Sequence, residues 1–337
     1  MPKTNPFYDP GKPHHTPYGF RNPDPEVRIG GDFWRWRRWR RERRAARLPR
    51  QPEGGYTAFA ERWLVQPDFK LDPTHVTRPA VWWLGHATVL LRIAGRHIIT
   101  DPHLAHRASP LPFLGPDRKV PAPASVPQLP KIDAVLISHC HYDHLDAQTV
   151  HQLLRANPAV VFYVPLGLAD WLRARGAKHV EELDWWDQRD QAEFEIHCVP
   201  AQHWSARTLL DRNRTLWCGW VVRAPGFNFY FSGDTGYMPQ LAEISMRLGT
   251  PDLAALPIGA YEPRWFMRGQ HVNPEEAVRL HRELGITQSL AIHWGTFELA
   301  DDSLDDPLHA LKQSLLEQEV NSSAFWIIKQ GESRLIP

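Results

Sequence analysis

Residues 138–146 read SHCHYDHLD, directly after the short apolar run AVLI at 134–137. A run of that length and character is a buried strand, so the residues after it open a loop at a strand end. Within positions 139–144 the loop carries His139, His141, Asp143 and His144. Imidazole nitrogen and carboxylate oxygen are the ligands that zinc and similar borderline ions take. Spacings of two and three along a loop let neighbouring side chains diverge toward two metals instead of crowding one. The plain alternative is a His-rich solvated loop.

A closed site needs ligands from elsewhere, and three candidates sit at expected strand ends. His203 follows a strand expected at 194–199, in PAQHW. Asp234 follows one at 227–232, in FSGDTGY, and His293 ends one at 289–292, in LAIHWGTF. A side chain at the carboxyl end of a strand is held rigidly yet faces a loop-lined cleft. Each of these alone is more often a satisfied core residue. Together with the cluster they make five His and two Asp, a set that suits two four- or five-coordinate ions sharing a carboxylate and a water. Asp101 and Asp146 are carboxylates placed to orient such ligands, with helix capping an equal alternative for Asp146. His86, in GHAT, is either another such partner or a buried structural histidine. Cys140 reads as a small packed side chain.

The whole chain has 337 residues, 42% hydrophobic and 23% charged. That balance is an ordinary soluble globule and excludes wholesale disorder, collagen and coiled coil. No apolar run approaches the roughly 18–20 residues of a membrane span, and MPKTNPFYDPGKPHH lacks the apolar segment of a signal peptide. Three Cys are too few and too odd in number for a disulfide framework, so a reducing, cytoplasmic setting is expected. The net charge of +1 suggests no nucleic acid or other polyanion partner, but it hides a block. Residues 33–50, FWRWRRWRRERRAARLPR, hold nine Arg against Glu42, a charge of +8 that leaves −7 for the rest of the chain.

Residues 1–75 read as an N-terminal extension. Its first 32 residues are rich in Pro and Gly and should run extended or turn-like. From residue 76 to 337 short apolar runs alternate with helical patterns. Strands are expected at 80–84, 88–93, 97–100, 134–137, 160–164, 194–199, 216–222, 227–232, 253–257, 289–292 and 324–329. Helices are expected at 146–156, 169–175, 239–248 and 307–317, with another opened by Asn273 as cap and Pro274 at its first position. Helices inserted between strands predict an α/β architecture of sheets covered by helices.

Order and spacing of these residues resemble the metallo-β-lactamase fold with its HxHxDH motif, an αββα sandwich of two mixed sheets with metals at one edge. Within that fold the closer resemblance is to the N-acylphosphatidylethanolamine-hydrolysing phospholipase D family. GHATVLL (85–91), TDP (100–102), VPLGL (164–168), ELDWW (182–186), HWSARTLLDRNRTLW (203–217), SGDTGY (232–237), PIGAYEPRWFM (257–267), QHVNPEEAV (270–278), AIHWGTF (291–297) and GESR (331–334) carry it. It covers about 76–337; the first 75 residues carry little of it.

The resemblance implies two Zn2+ per chain. His139, His141 and His203 would hold one, Asp143, His144 and His293 the other, and Asp234 would bridge. It further implies hydrolysis of N-acylphosphatidylethanolamine, or a related phospholipid, to N-acylethanolamine and phosphatidic acid by a hydroxide shared between the ions. Asp143 would act on the nucleophile's proton, and His271 would stabilise charge on the phosphoryl oxygens. Tyr142, Gln270 and His271 would contact the substrate. A homodimer is implied as well. Two alternatives stand beside this: a hydrolase of a soluble lactone or other phosphodiester, and a non-catalytic binder of a membrane surface through the Arg/Trp block.

A phospholipid substrate makes the membrane surface an expected partner, reached peripherally from its inner, cytoplasmic face. Trp favours the interface and Arg attracts anionic lipid, at about 1 kcal/mol per basic residue. Phe33, Trp36 and Trp39 share one helical face and Trp34 falls off it. The block is therefore either a membrane anchor or a surface helix packed on the domain. Trp265, Phe266 and Met267 are a second lipid-contact candidate, or else the wall of an apolar pocket.

Overall fold

The computed structural model describes residues 4–24, 27, 29, 33–70 and 78–336. Two seven-stranded mixed sheets make up the body of the molecule. One runs Ser333–Leu335, Ala80–Trp83, Val89–Ile93, Arg96–Thr100, Ala134–Leu136, Val161–Pro165, His179–Leu183. The other runs Phe325–Trp326, Gln288–Ile292, Leu253–Pro257, Phe227–Phe231, Gly219–Ala224, Glu195–Val199, Gln188–Asp190. Each sheet is antiparallel in one part and parallel in the other.

Side-chain alternation explains the layering. Successive strand residues point to opposite faces, so Val81 and Trp83 enter the same core cluster as Trp220 and Phe231. Ala80 and Trp82 turn the other way and pack with Val150 and Leu153 of the helix Ala147–Ala156. Both faces are covered, which is why the strands read as nearly continuous apolar runs. Asp146 opens that helix, accepting from Gln148 N–H and Thr149 N–H at 3.1 and 2.9 Å. Capping is thus the role it takes. Asn273 and Glu276 form a reciprocal capping box at the start of Pro274–Glu283.

Strand direction brings the candidate ligands to one edge. Glu195–Val199 and Phe227–Phe231 both run antiparallel to Gly219–Ala224, and so run in the same sense as each other. Gln288–Ile292 shares that sense through Leu253–Pro257. The carboxyl ends that precede His203, Asp234 and His293 therefore face the same way. The two sheets are tied at this edge: Trp220 Nε1 donates to Ile137 O at 3.0 Å and Cys218 N to Ser138 O at 2.9 Å.

Several elements differ from expectation. The strand expected at 216–222 begins at Gly219, because Cys218 N–H is drawn to Ser138 and Leu216 N–H to Leu166 O. The strand expected at 324–329 pairs only over Phe325–Trp326. The helix expected at 239–248 is a 3₁₀ turn, Pro239–Ala242, followed by Glu243–Leu248. His179–Leu183 is a further strand. Its His179, Glu181 and Glu182 are the polar texture of a sheet edge, which conceals it in the sequence.

The N-terminal residues run much as expected through two-residue strands, His15–Thr16 and Gly19–Phe20. Yet they are packed: Phe20 belongs to the inter-sheet core, and Phe59 of the helix Gly55–Trp63 is buried in it too. The expected boundary near residue 75 falls within 71–77, outside the described residues. The Arg/Trp block forms the helix Phe33–Ala45. Its Trp39 stacks on Phe266 at 5.1 Å and donates to Asp301 at 2.9 Å. Among the described residues no helix is long and apolar enough to cross a membrane.

Candidate metal centre

All seven residues proposed as ligands from the sequence converge at the sheet edge. His139 Nε2 and His141 Nδ1 lie 2.9 Å apart, and His203 Nε2 lies 3.2 Å from the same Nδ1. Asp143, His144 and His293 form a second group, joined by His86. Asp234 lies between the groups. Its Oδ2 is 3.1 Å from His144 Nε2, 3.7 Å from His203 Nε2 and 3.9 Å from His139 Nε2, while its Oδ1 is 3.1 Å from His293 Nε2.

The hydrogen bonds on the far side of each ring decide what the near side presents. Asp101 is wholly buried and accepts from Ser138 N–H, from the Ser138 hydroxyl and from His144 Nδ1. His144 Nδ1 therefore carries the proton and Nε2 a lone pair. Ser138 spends its single hydrogen on Asp101, so it accepts from His139 Nδ1–H at 2.8 Å, and His139 Nε2 is likewise a lone pair. Gln270 O takes the proton of His203 Nδ1 at 2.9 Å, which leaves a lone pair on His203 Nε2 as well.

Those lone pairs point at each other and at carboxylate oxygens. His144 Nε2, His293 Nε2 and Asp234 Oδ1 are buried with no hydrogen-bond partner among the described residues. A lone pair 3.1 Å from a carboxylate oxygen repels unless a cation lies between, either a metal ion or a second proton on the ring. The ionisation behaviour agrees. Burial opposes charge on His144, yet Asp234, Asp143 and Asp101 outweigh it and push its pKa well above the usual value. His293, against the same burial, is pushed up to about 9, chiefly by Asp234 and Asp143. Burial keeps His141 at about 3 and His203 at about 4, neutral as metal ligands must be. The pocket calls for positive charge beside neutral imidazoles, and the donor set fits metal ions.

Backbone strain marks the same spot. His86, Asp101 and His293 are non-glycine residues with φ of 51°, 33° and 63°, a left-handed conformation that costs of order 1–3 kcal/mol each and clusters at functional sites. His293 N–H donates to His86 O at 2.9 Å and their rings lie 4.0 Å apart. His86 Nε2 sits 3.0 Å from Asp143 Oδ2. It therefore belongs to the centre, a role that GHAT left undecided between site and core. Gly233, with φ 58°, passes so close to Ser138 that a Cβ there would lie 2.6 Å from the serine's own.

A cavity of about 680 Å³ opens above the ligands. Tyr142, Trp204, Phe266, Met267, Gln270 and His271 line it, and Phe33, Trp36 and Trp39 close it from the Arg/Trp helix. Phe266 and Met267 are buried and line the cavity, so these two residues form pocket wall, while Trp265 does not line it. Tyr142 hydroxyl donates to Arg207 O at 2.9 Å, with the Arg207 guanidinium 4.0 Å from its ring centroid. His271 Nδ1 stands 3.8 Å from Asp234 Oδ2, within reach of both ligand and cavity. Gln270 lines the cavity too, but its carbonyl holds His203 and its side-chain amide donates to Met267 Sδ at 3.3 Å. Cys140 is buried, as its packing role requires.

A family model for the beta-lactamase superfamily domain matches residues 96–294, and the two-sheet architecture with its edge cluster places the chain among the metal-dependent hydrolases of that superfamily. An isothiocyanate hydrolase from Delia radicum gut bacteria shares the fold, with a TM-score of 0.61 over 76% of this chain and 98% of that one at 22% identity. Caenorhabditis elegans N-acyl-phosphatidylethanolamine-hydrolyzing phospholipase D 1 is 41% identical over 262 residues, 74% of each chain. The Saccharomyces cerevisiae protein named N-acyl-phosphatidylethanolamine-hydrolyzing phospholipase D, mitochondrial, is 34% identical over 68% of this chain, which spans 50% of that protein. The chain belongs to the N-acylphosphatidylethanolamine-hydrolysing phospholipase D family, and with it to the metal-dependent phosphodiesterases.

Proposed function

We propose that this chain is a zinc-dependent phospholipase D that hydrolyses N-acylphosphatidylethanolamine, or a closely related phospholipid, to N-acylethanolamine and phosphatidic acid. The observation that carries the reading is a His/Asp centre with fixed lone pairs at the floor of a cavity walled by aromatic side chains. His139, His141 and His203 would hold one ion and Asp143, His144 and His293 the other, with Asp234 between. When bound, the ions supply Lewis acidity toward phosphoryl oxygens and acidify water to near neutrality.

The chain's own residues do the rest. Asp143, 14% exposed and braced by His86, faces the cavity and can take the nucleophile's proton. His271 is positioned to donate to a phosphoryl oxygen, and Tyr142 packs beside the headgroup. Phe266, Met267 and Trp204 exclude water and accept apolar chain. Exposed Phe33, Trp34 and Trp36, beside Arg37, Arg40 and Arg41, are the surface that would meet an anionic membrane.

The test is release of N-acylethanolamine from vesicles by protein stripped with chelator, then reloaded with Zn2+. Turnover should vanish on stripping and return on reloading. Undiminished turnover by metal-free protein would sink the metal mechanism. Faster turnover of a water-soluble diester than of vesicle lipid would reassign the substrate.

A further inference from the structure

Among the described residues of the N-terminal arm, Asn22 reaches the candidate metal centre, 181 positions away in sequence from the His203 it touches. Asn22 is buried. Its Nδ2 donates to His203 O at 2.8 Å, and its Oδ1 accepts from His203 N–H at 3.1 Å. The same Oδ1 accepts from the Trp217 indole at 3.2 Å, and that indole also donates to Ala201 O at 3.0 Å. A side-chain amide paired with both main-chain groups of one residue fixes the peptide planes on either side of it. His203 is a loop residue with no sheet ladder to do this. Its ring is pinned independently, Nδ1 to Gln270 O. With main chain and Nδ1 held, Nε2 is directed toward His141 Nδ1, 3.2 Å away, and Asp234 Oδ2, 3.7 Å away.

The arm reinforces the same loop further along. Phe20 N–H donates to Asn213 O at 2.8 Å, and Asn213 N–H closes the loop on Ser205 O at 2.7 Å. Gly19 lies against Asn213, where a Cβ would come within 2.1 Å of its carbonyl oxygen. The arm thus braces the segment that carries His203 and the cavity-lining Trp204.

We propose that Asn22 is a positioning residue of the metal centre, so that the arm completes the His139–His141–His203 site. The proposal rests on reading those residues as metal ligands. Outer partners of metal ligands typically contribute 10–100-fold in affinity, and Asn22 acts on the main chain as such partners act on the ring.

The test uses full-length protein stripped of metal, comparing wild type with Asn22→Ala and Asn22→Asp. Zinc affinity is read by competition with a chromophoric chelator and by metal content, at a temperature well below every variant's melting point. Asn22→Ala should bind its weaker zinc equivalent about 10–100-fold less tightly while melting cooperatively. Asn22→Asp keeps the acceptor for His203 N–H but sets a carboxylate oxygen against the His203 carbonyl where the donor stood, so it too should bind zinc less tightly than wild type. It also carries the test should the alanine variant not fold. Wild-type affinity in the folded variants overturns the proposal. A wild type that binds no zinc overturns instead the reading of the centre itself.

Discussion

Asp101 is wholly buried, yet three of its bonds decide what two of the candidate ligands present to the centre. It fixes His144 directly and His139 through Ser138. An Asp101→Asn variant offers one oxygen in place of two and an N–H where an acceptor is needed. One of the two rings then loses its enforced tautomer. Zinc affinity should fall about 10–100-fold, seen as metal content below wild type after dialysis. Retention of full metal content would show that the tautomers are set elsewhere. The seven candidate ligands were legible as a set in the sequence, because His and Asp at strand ends are ligand chemistry in a ligand's position, and the structure brings them together. Asp101 was legible as a partner, since it too follows a strand. His86 was not, because one histidine in an apolar stretch reads the same as a core residue until its ring is seen 3.0 Å from Asp143. Asn22 left no signal at all: an Asn beside Pro in a Pro-rich arm reads as a turn.

Elements were legible where periodicity was strong, as in the core strands and the Asn273-capped helix. They were hidden where pairing was short or polar, as at His179–Leu183. The arm was harder still, since its order comes from the surface it lies on. Its fastening is Asp184, whose Oδ1 lies 2.7 Å from His14 Nε2 and whose Oδ2 lies 2.6 Å from Lys12 Nζ and 2.9 Å from His15 Nε2. The Lys12 ammonium already neutralises this cluster, which therefore reads as a latch and not as a further metal site. Burial pushes the Asp184 carboxyl up, but the bonds from His14 and Lys12 and the charge of the two histidines outweigh it and hold it well below the usual range. Asp187 and Asp9 face Lys12 as well. A depressed carboxylate stabilises the folded form above its unfolded pKa of about 3.9, and that contribution is lost as pH falls through the lower folded value. The arm should stay docked at pH 5 and loosen progressively below about pH 4. Hydrogen exchange at residues 5–22, measured against the core strands, checks this. Asp184→Asn should loosen the arm at neutral pH, and an arm equally protected in that variant would mean the latch lies elsewhere.

At the scale of the whole molecule, charge is divided: +8 in residues 33–50 and −7 over the rest. The division has a structural counterpart. Helix Phe33–Ala45 docks through Trp39, Arg43 and Arg35, with Arg35 donating to Trp265 O at 2.7 Å. It turns Trp34 outward at 71% exposure. Packing on the domain thus leaves exposed aromatic and basic surface on the same helix, so the two readings of the sequence do not exclude each other. Leu209 and Leu210, 100% and 90% exposed, present further apolar surface, and Leu209 lines the cavity along with Phe33 and Trp36. An apolar rim beside a basic helix is what an anionic bilayer would meet at the entrance to the centre. Each basic residue near such a surface contributes about 1 kcal/mol and is screened over a Debye length of about 8 Å in physiological salt. Binding to anionic vesicles should weaken steeply with added salt, and binding to zwitterionic vesicles should be weak throughout. Replacing Arg40, Arg41 and Arg44 together by Glu should weaken anionic-vesicle binding by at least about 100-fold, since three lost attractions of about 1 kcal/mol already amount to roughly that factor. Trp34→Ala with Leu210→Ala should lower binding at every salt concentration, because apolar insertion is unscreened. Vesicle turnover should fall with binding in each variant while zinc content stays at the wild-type level. Salt-independent binding, or turnover that survives loss of binding, would separate the helix from substrate access and leave it a brace for the pocket wall.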